Sequence, residues 1–307
     1  MTVSEWWAVA RSEEVSADKP LNVDLGDQPV VLWRDKDGIV RALEDRCPHR
    51  RAPLSLGCIL GNGAIQCGYH GWTFDGATGQ LIDIPNLKSD RKYPPVYKAR
   101  HFSAHEGDGF VRLSLDPNAR LPGREDEVLP LSGTATVALQ HDPYTDALLD
   151  DPALLISIKG VRFSPYLFSE LKERDGRLVL ERCCQWASPH WPAPFSSDFP
   201  LSLRISCHPV TGEADLSLID GDFNILLRAI LAPVPASRGV TQVRWRAKLS
   251  PNRPGFMAKA MGTGKPFKVF DTIDGAALRV LKPSVSTRAS DLREKIAASR
   301  TIGNEAA

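Results

Sequence analysis

Apolar and polar positions alternate in short runs through much of this chain, a pattern that predicts β-strands. Pro29-Val30-Val31-Leu32-Trp33 and Ile39-Val40-Arg41-Ala42-Leu43 flank Asp35-Lys36-Asp37-Gly38, and an Asp-Gly step between apolar runs is a hairpin signal. Gly109-Phe110-Val111-Arg112-Leu113-Ser114-Leu115 predicts a strand that closes the first block. Asp116 to Pro130, with three prolines and several charges, reads as a linker. The expected division is a first domain over 1–117, a linker over 118–130 and a second domain over 131–307.

In the second domain, strand runs cover Leu201 to His208, Glu213 to Ile219, Ile225 to Ala232 and Val240 to Leu249, with a turn at Pro209-Val210-Thr211-Gly212. Two stretches predict helix. Asp142 and Pro143 read as an N-cap and first residue, with Asp146-Ala147-Leu148-Leu149 as the body. Phe267 to Lys282 puts Phe270, Ile273, Ala277 and Leu281 on one face. Strands combined with helices predict an α+β second domain, an antiparallel sheet with helices, behind an all-β first domain.

Composition narrows the function classes. The 307 residues are 42% hydrophobic, enough for two real cores, and 38 basic residues nearly cancel 37 acidic ones. No basic footprint for nucleic acid or an anionic membrane results. No apolar run reaches membrane-spanning length and Met1 to Arg11 lacks a secretory pattern, so cytoplasm is the default. Of six cysteines, Cys58, Cys183, Cys184 and Cys207 read as buried free thiols, the adjacent pair pointing to opposite faces of a strand.

The other two carry the chemistry. Cys47-Pro48-His49 is followed, after seventeen residues, by Cys67-Gly68-Tyr69-His70-Gly71-Trp72. Two thiolates and two imidazoles suit either a tetrahedral zinc or an iron–sulfur cluster. Zinc sites more often pair like with like along the chain, as C-x-x-C and H-x-H runs. A Rieske [2Fe–2S] centre, in contrast, holds one iron by two Cys and the other by two His, so each loop giving one of each is what it needs.

Cys47 to Gly57 and Cys67 to Asp75, with Glu5-Trp6-Trp7-Ala8-Val9-Ala10 and Asp83-Ile84-Pro85, closely resemble the Rieske domain of Rieske non-haem iron oxygenases. The resemblance implies that Cys47, His49, Cys67 and His70 hold a [2Fe–2S] cluster and that Trp72 packs over its loop. Respiratory Rieske proteins have a disulfide between the loops and hydroxyl donors after the second His. Ala52, Tyr69, Trp72 and Phe74 stand at those positions here, which implies a lower-potential centre. The second domain resembles, more distantly, the catalytic domain of the homotrimeric O-demethylase, pheophorbide and dicamba oxygenase branch, on domain order, on Gln185 to Pro189 and on Ile230 to Pro235. The prolines and aromatics from Trp186 to Phe199 suit an apolar pocket wall or a plain core.

That family activates dioxygen at a mononuclear iron held by two His and a carboxylate, the His pair arriving as Asp-x-x-His-x-x-x-x-His. Asp146 fits the Asp, the inter-subunit electron bridge of the family, but Leu149 and Leu154 stand where the His pair belongs. Leucine offers no lone pair. No His occurs between His141 and His190, so the motif is absent in any register. Asp274 is the candidate carboxylate ligand, and His141, His190 and Asp274 are the residues from which a rebuilt site would be made. His208 reads as a hydrogen-bonded or surface group, and His101 and His105 as strand-and-turn residues.

Two functions follow from the resemblance. One is an oxygenase component, an oxidoreductase that takes electrons from a ferredoxin or flavin-dependent reductase and oxidises an apolar or aromatic substrate. The other is an electron-transfer or structural subunit that serves the iron of a homologous partner, in a homotrimer or hetero-oligomer. A stand-alone Rieske ferredoxin would leave most of the chain unexplained, and zinc binding is the remaining alternative.

Overall fold

The computed structural model describes residues 5–87, 93–120, 127–186, 200–262, 264–274, 277–278 and 285–304. The chain divides into two units. The first takes up Met1–Val128 with Val234–Arg238, the second Leu129–Pro233 with Gly239–Ala307.

The described residues of the first unit contain ten strands: β1 (Trp7–Arg11), β2 (Leu21–Leu25), β3 (Gln28–Arg34), β4 (Val40–Glu44), β5 (Cys58–Ile59), β6 (Ile65–Gln66), β7 (Thr73–Phe74), β8 (Leu81–Asp83), β9 (Ser103–Gly107) and β10 (Phe110–Ser114). They pair antiparallel in three sheets, β1-β10-β9, β2-β3-β4 and β5-β6-β7-β8. The Asp-Gly hairpin joins β3 to β4 as expected. Gly38 takes the left-handed φ of 77° that the turn requires, and the Asp35 N–H donates to the Ile39 carbonyl at 2.9 Å.

Strand β3 separates two apolar cores, because side chains alternate across a strand. Val30 and Leu32 face one core, with Val9, Val23 and Leu113. Val31 and Trp33 face the other, with Leu43, Leu54, Ile65, Phe74 and the two cysteines Cys47 and Cys67. The Trp33 indole N–H donates to the Gly63 carbonyl at 2.9 Å, so the second core is pinned as well as packed.

The second unit contains β11 (Leu131–Val137), α1 (His141–Asp150), β12 (Ile156–Ile158), β13 (Val161–Arg174), β14 (Arg177–Trp186), β15 (Leu201–Cys207), β16 (Ala214–Asp220), β17 (Ile225–Pro235), β18 (Thr241–Leu249), α2 (Gly255–Met261), β19 (Phe267–Val269) and α3 (Val285–Asn304). A seven-stranded sheet runs in the order β11-β18-β17-β16-β15-β14-β13. The four strand runs read from the sequence are β15 to β18. In β15 Leu201, Leu203, Ile205 and Cys207 are buried in alternation with less buried residues, the period expected of a strand with one face on the core.

The expected helix over Phe267 to Lys282 does not form as drawn. Phe267–Val269 is a strand paired with Ile156–Ile158, with Phe267 and Val269 buried and Lys268 exposed, so a period of two overrides the helical spacing. Among the described residues from 270 to 282 only Ala277 and Leu278 are helical, and 279–282 lie outside them. Helix α1 starts two residues earlier than expected, with Gln140 as its N-cap and Asp142 in its first turn. The linker reading falls partly outside the described residues, at 121–126, while Leu129 is fully buried and its carbonyl accepts from Arg246 at 3.1 Å.

Candidate metal centre

Cys47 and Cys67 open two loops of the same construction. In the first, the Cys47 N–H donates to the Ala52 carbonyl at 2.8 Å and the Arg51 N–H returns to the Cys47 carbonyl at 2.8 Å. In the second, the Cys67 N–H donates to Trp72 at 2.9 Å and the Gly71 N–H returns to Cys67 at 3.0 Å. The fourth residue after each cysteine is left-handed, Arg51 at φ 60° and Gly71 at φ 71°. Glycine meets that demand freely and arginine does not. A Cβ on Gly71 would also lie 2.5 Å from Pro85 Cγ, and one on Gly68 would lie 2.7 Å from the Leu56 carbonyl.

These loops bring like donors together. Both cysteines are 2% exposed, and the Cys67 thiol lies within hydrogen-bonding reach of Cys47. Burial pushes the Cys47 thiol up to about 11, against the pull of the His49 and Arg50 backbone N–H groups directed at it. A bound metal cation, which favours the thiolate, would offset that cost. His49 and His70 are exposed, with ring centroids 4.7 Å apart. His49 titrates below the usual histidine value, first through desolvation by its neighbours and then through His70 and Arg50. Neutral imidazole is the form that binds a metal.

Trp72 stacks on His49, with centroids 4.4 Å apart and planes 3° from parallel, and Tyr97 meets Trp72 edge-on at 5.1 Å. The second loop thus holds the histidine of the first. Asp45 has the corresponding task for the backbone of the first loop and was not singled out from the sequence. Its carboxylate, 4% exposed, accepts from Asn22 Nδ2 at 2.8 Å, the Ser55 N–H at 2.7 Å and Ser55 Oγ at 2.6 Å. Its partners lie 23 and 10 residues away along the chain, so no local pattern marks it.

A buried cysteine pair beside an exposed histidine pair fits a two-iron cluster that takes two thiolates on one iron and two imidazoles on the other. One tetrahedral zinc would require all four donors to converge. Among the described residues no three of His, Cys, Asp and Glu gather as a single ion requires. All six cysteines are free, so the two loops share no disulfide. Cys58 is exposed rather than buried and Cys183 is half-buried, whereas Cys184 and Cys207 are buried as expected.

Among the described residues of the second unit no group of three His, Cys, Asp or Glu is gathered at the positions named for the other metal site. Leu149 is fully buried in the core, where a leucine side chain contributes roughly 2 kcal/mol, and Leu154 packs against the same core. Asp146 pairs with Arg293 of α3, Oδ1 accepting from Nη1 at 2.8 Å. Asp274 is exposed, and its carbonyl accepts from the Leu278 N–H at 2.9 Å. Of the residues named for a rebuilt site, His141 and Asp274 are described. Both His141 nitrogens are engaged, Nε2 with the Thr211 carbonyl and Nδ1 with Asp142, each at 2.9 Å, and His190 lies outside the described residues. His208 is hydrogen-bonded, its Nδ1 accepting from the Thr211 N–H at 3.1 Å. The Trp186 to Phe199 wall lies outside the described residues beyond Trp186, which is buried.

Comparisons with known proteins agree with the geometry of the first unit. The Rieske [2Fe-2S] domain family matches residues 5–95. The oxygenase component of dicamba O-demethylase from Stenotrophomonas maltophilia is 45% identical over 119 residues, 38% of this chain and 34% of that one. Pheophorbide a oxygenase from Oryza sativa subsp. japonica is 47% identical over 151 residues, 45% of this chain and 28% of that one. The chain thus spans about a third of the length of these relatives. A crystal structure of dicamba monooxygenase bound to dicamba superposes with a TM-score of 0.70 at 20% identity, covering 98% of this chain and 99% of that one, so the fold is shared from end to end.

Proposed function

Because this chain belongs among the Rieske non-haem iron oxygenases, we propose that it is a [2Fe–2S] redox component whose electrons leave the chain, its own mononuclear iron site being degenerate. Cys47 and Cys67 would hold the inner iron of the cluster, and His49 and His70 the outer one. When bound, such a cluster supplies one-electron transfer. The chain's own contribution is to bury the thiolates in the apolar core beneath the loops and to leave the imidazole edges at the surface. Stacked Trp72 orients the His49 ring and shields one of its faces from water.

The observation that carries this reading is the division of four donors into a buried Cys pair and an exposed His pair by two matched loops. Electrons would come from a ferredoxin or flavin-dependent reductase. Their destination would be the iron of a homologous partner in a trimer or mixed oligomer, where an apolar or aromatic substrate is oxidised. The burial of Leu149 and the Asp146–Arg293 pair favour this over oxidation by the chain alone. The free cysteines suit a cytoplasmic setting, and no described helix is long and apolar enough to cross a membrane.

Iron analysis of the purified protein tests the proposal. Two irons per chain, with a paramagnetic signal on reduction, are the expected result. Three irons would refute the degenerate site, and zinc without redox chemistry would refute the cluster.

A further inference from the structure

Helix α1 ends in a way its own sequence does not support. Its last turn contains no basic residue, yet it carries Asp150 at the negative end of the helix dipole and is followed by Asp151. The last carbonyls of a helix have no partner within it. Here one side chain from the sheet satisfies two of them. Arg182 of β14 donates through Nη2 to the carbonyls of Leu149 and Asp150, both at 2.8 Å, and through Nη1 to the Ser164 carbonyl of β13 at 3.0 Å. The residue is 2% exposed. A guanidinium so deeply buried is costly unless its donors are used and opposite charge lies close. Asp151 and Asp150 provide that charge.

Asp150 is in turn committed elsewhere. Its Oδ1 accepts from the Val285 and Ser286 N–H groups at 2.7 and 3.0 Å, and its Oδ2 from Ser286 Oγ at 2.5 Å, so it caps the N-terminus of α3. One turn earlier, Asp146 binds Arg293 of the same helix. One end of α1 is therefore held to β13 and β14 through a buried cation and to α3 through the carboxylates of Asp150 and Asp146, at Leu149, a position that carries no metal-binding group.

We propose that Arg182 is the resident cation of this site: its guanidinium does by hydrogen bonding what a bound metal would do by ligation, holding α1 to the sheet, so that the second unit is complete without iron. This rests on the reading of a degenerate iron site and names the cation that holds the end of α1 in its place. The observations assign the role to the charge and fork of Arg182 rather than to its bulk, because three carbonyls converge on it.

The test compares the full chain with Arg182→Met, which keeps the volume and loses the donors, and Arg182→Lys, which keeps the charge. Thermal unfolding is followed by far-ultraviolet circular dichroism and the cluster by visible absorption, each with ferrous iron added and with a chelator. Arg182→Met should lower the unfolding midpoint of the second unit by about 5–10 °C with the cluster absorption intact. Arg182→Lys should recover about half of the loss, and neither ferrous iron nor chelator should move the wild-type midpoint. A midpoint for Arg182→Met within about 1 °C of wild type would overturn the proposal, as would Arg182→Lys behaving no better than Arg182→Met. A wild-type midpoint raised by ferrous iron would also overturn it. Should Arg182→Met fail to fold, the Lys variant and the iron titration decide alone. Failure of the cluster assignment would show separately, as missing visible absorption in the wild type.

Discussion

Replacing Asp45 with alanine tests how the metal-binding loops are held. Three hydrogen bonds converge on this nearly inaccessible carboxylate, two from Ser55 and one from Asn22. Each bond to a charged acceptor is worth about 1.5–3 kcal/mol in isolation. The three share one acceptor and are not additive, and water refills part of the space, so about 3 kcal/mol is the expected loss. At roughly 3–4 °C per kcal/mol for a unit of this size, the melting midpoint of the first unit should fall by about 10 °C. The more specific effect is on metal content. Asp45 precedes Cys47 by two residues and fastens it to Ser55, beyond the far end of the loop, so visible absorption per chain should fall with the midpoint. Asp45→Asn keeps an acceptor for the Ser55 N–H and should lie between alanine and wild type. Unchanged absorption and a midpoint within about 2 °C of wild type in the alanine variant would refute the anchoring role.

Three other outcomes are expected. His49→Ala or Cys67→Ser should abolish the visible absorption of the cluster, and a variant that retains it would refute the ligand assignment. Gly71→Ala combines a left-handed φ of 71° with a Cβ placed 2.5 Å from Pro85; the backbone alone costs about 1–2 kcal/mol, so cluster loading should drop while the circular dichroism of the second unit is unaffected. Glu106 is held below the usual carboxylate range, chiefly by its hydrogen bond with Arg34. Its stabilisation is therefore present above the ordinary value of 4.5 and is lost as pH falls through the depressed value. Because the pair is partly exposed the effect is under about 1 kcal/mol, and Glu106→Gln should flatten the fall in melting midpoint between about pH 5 and pH 3.

The sequence was most legible where a local pattern had one physical solution. Alternation marked β15 to β18, the Asp-Gly turn marked β3 to β4, and the two Cys/His runs marked the loops. Residues whose partners are distant in sequence were not legible. Arg182 sits in an apolar strand run, Leu178 to Trp186, where a charge pair was visible but the α1 carbonyls it serves were not. Asp146 fits a position of the family motif, and only the folded chain shows that α3 supplies its partner. Phe267 to Lys282 misled because apolar residues three and four apart coincide with a two-residue alternation over its first three positions, and pairing with β12 decided between them.

One feature of the chain path bears on how the protein is made. The first unit is not closed when its tenth strand has formed, since residues Val234–Arg238 also belong to it. Val234 is buried in the core with Val9 and Val23, the Pro235 carbonyl accepts from the Gly26 N–H at 2.7 Å, and Ser237 Oγ donates to Asp24 at 3.2 Å. A ribosome that has released the whole metal-binding half still lacks the segment that completes its core. The nascent domain must wait for about another hundred residues, or several seconds at ordinary synthesis rates, and acquisition of a stable cluster is thereby coupled to synthesis of the second half.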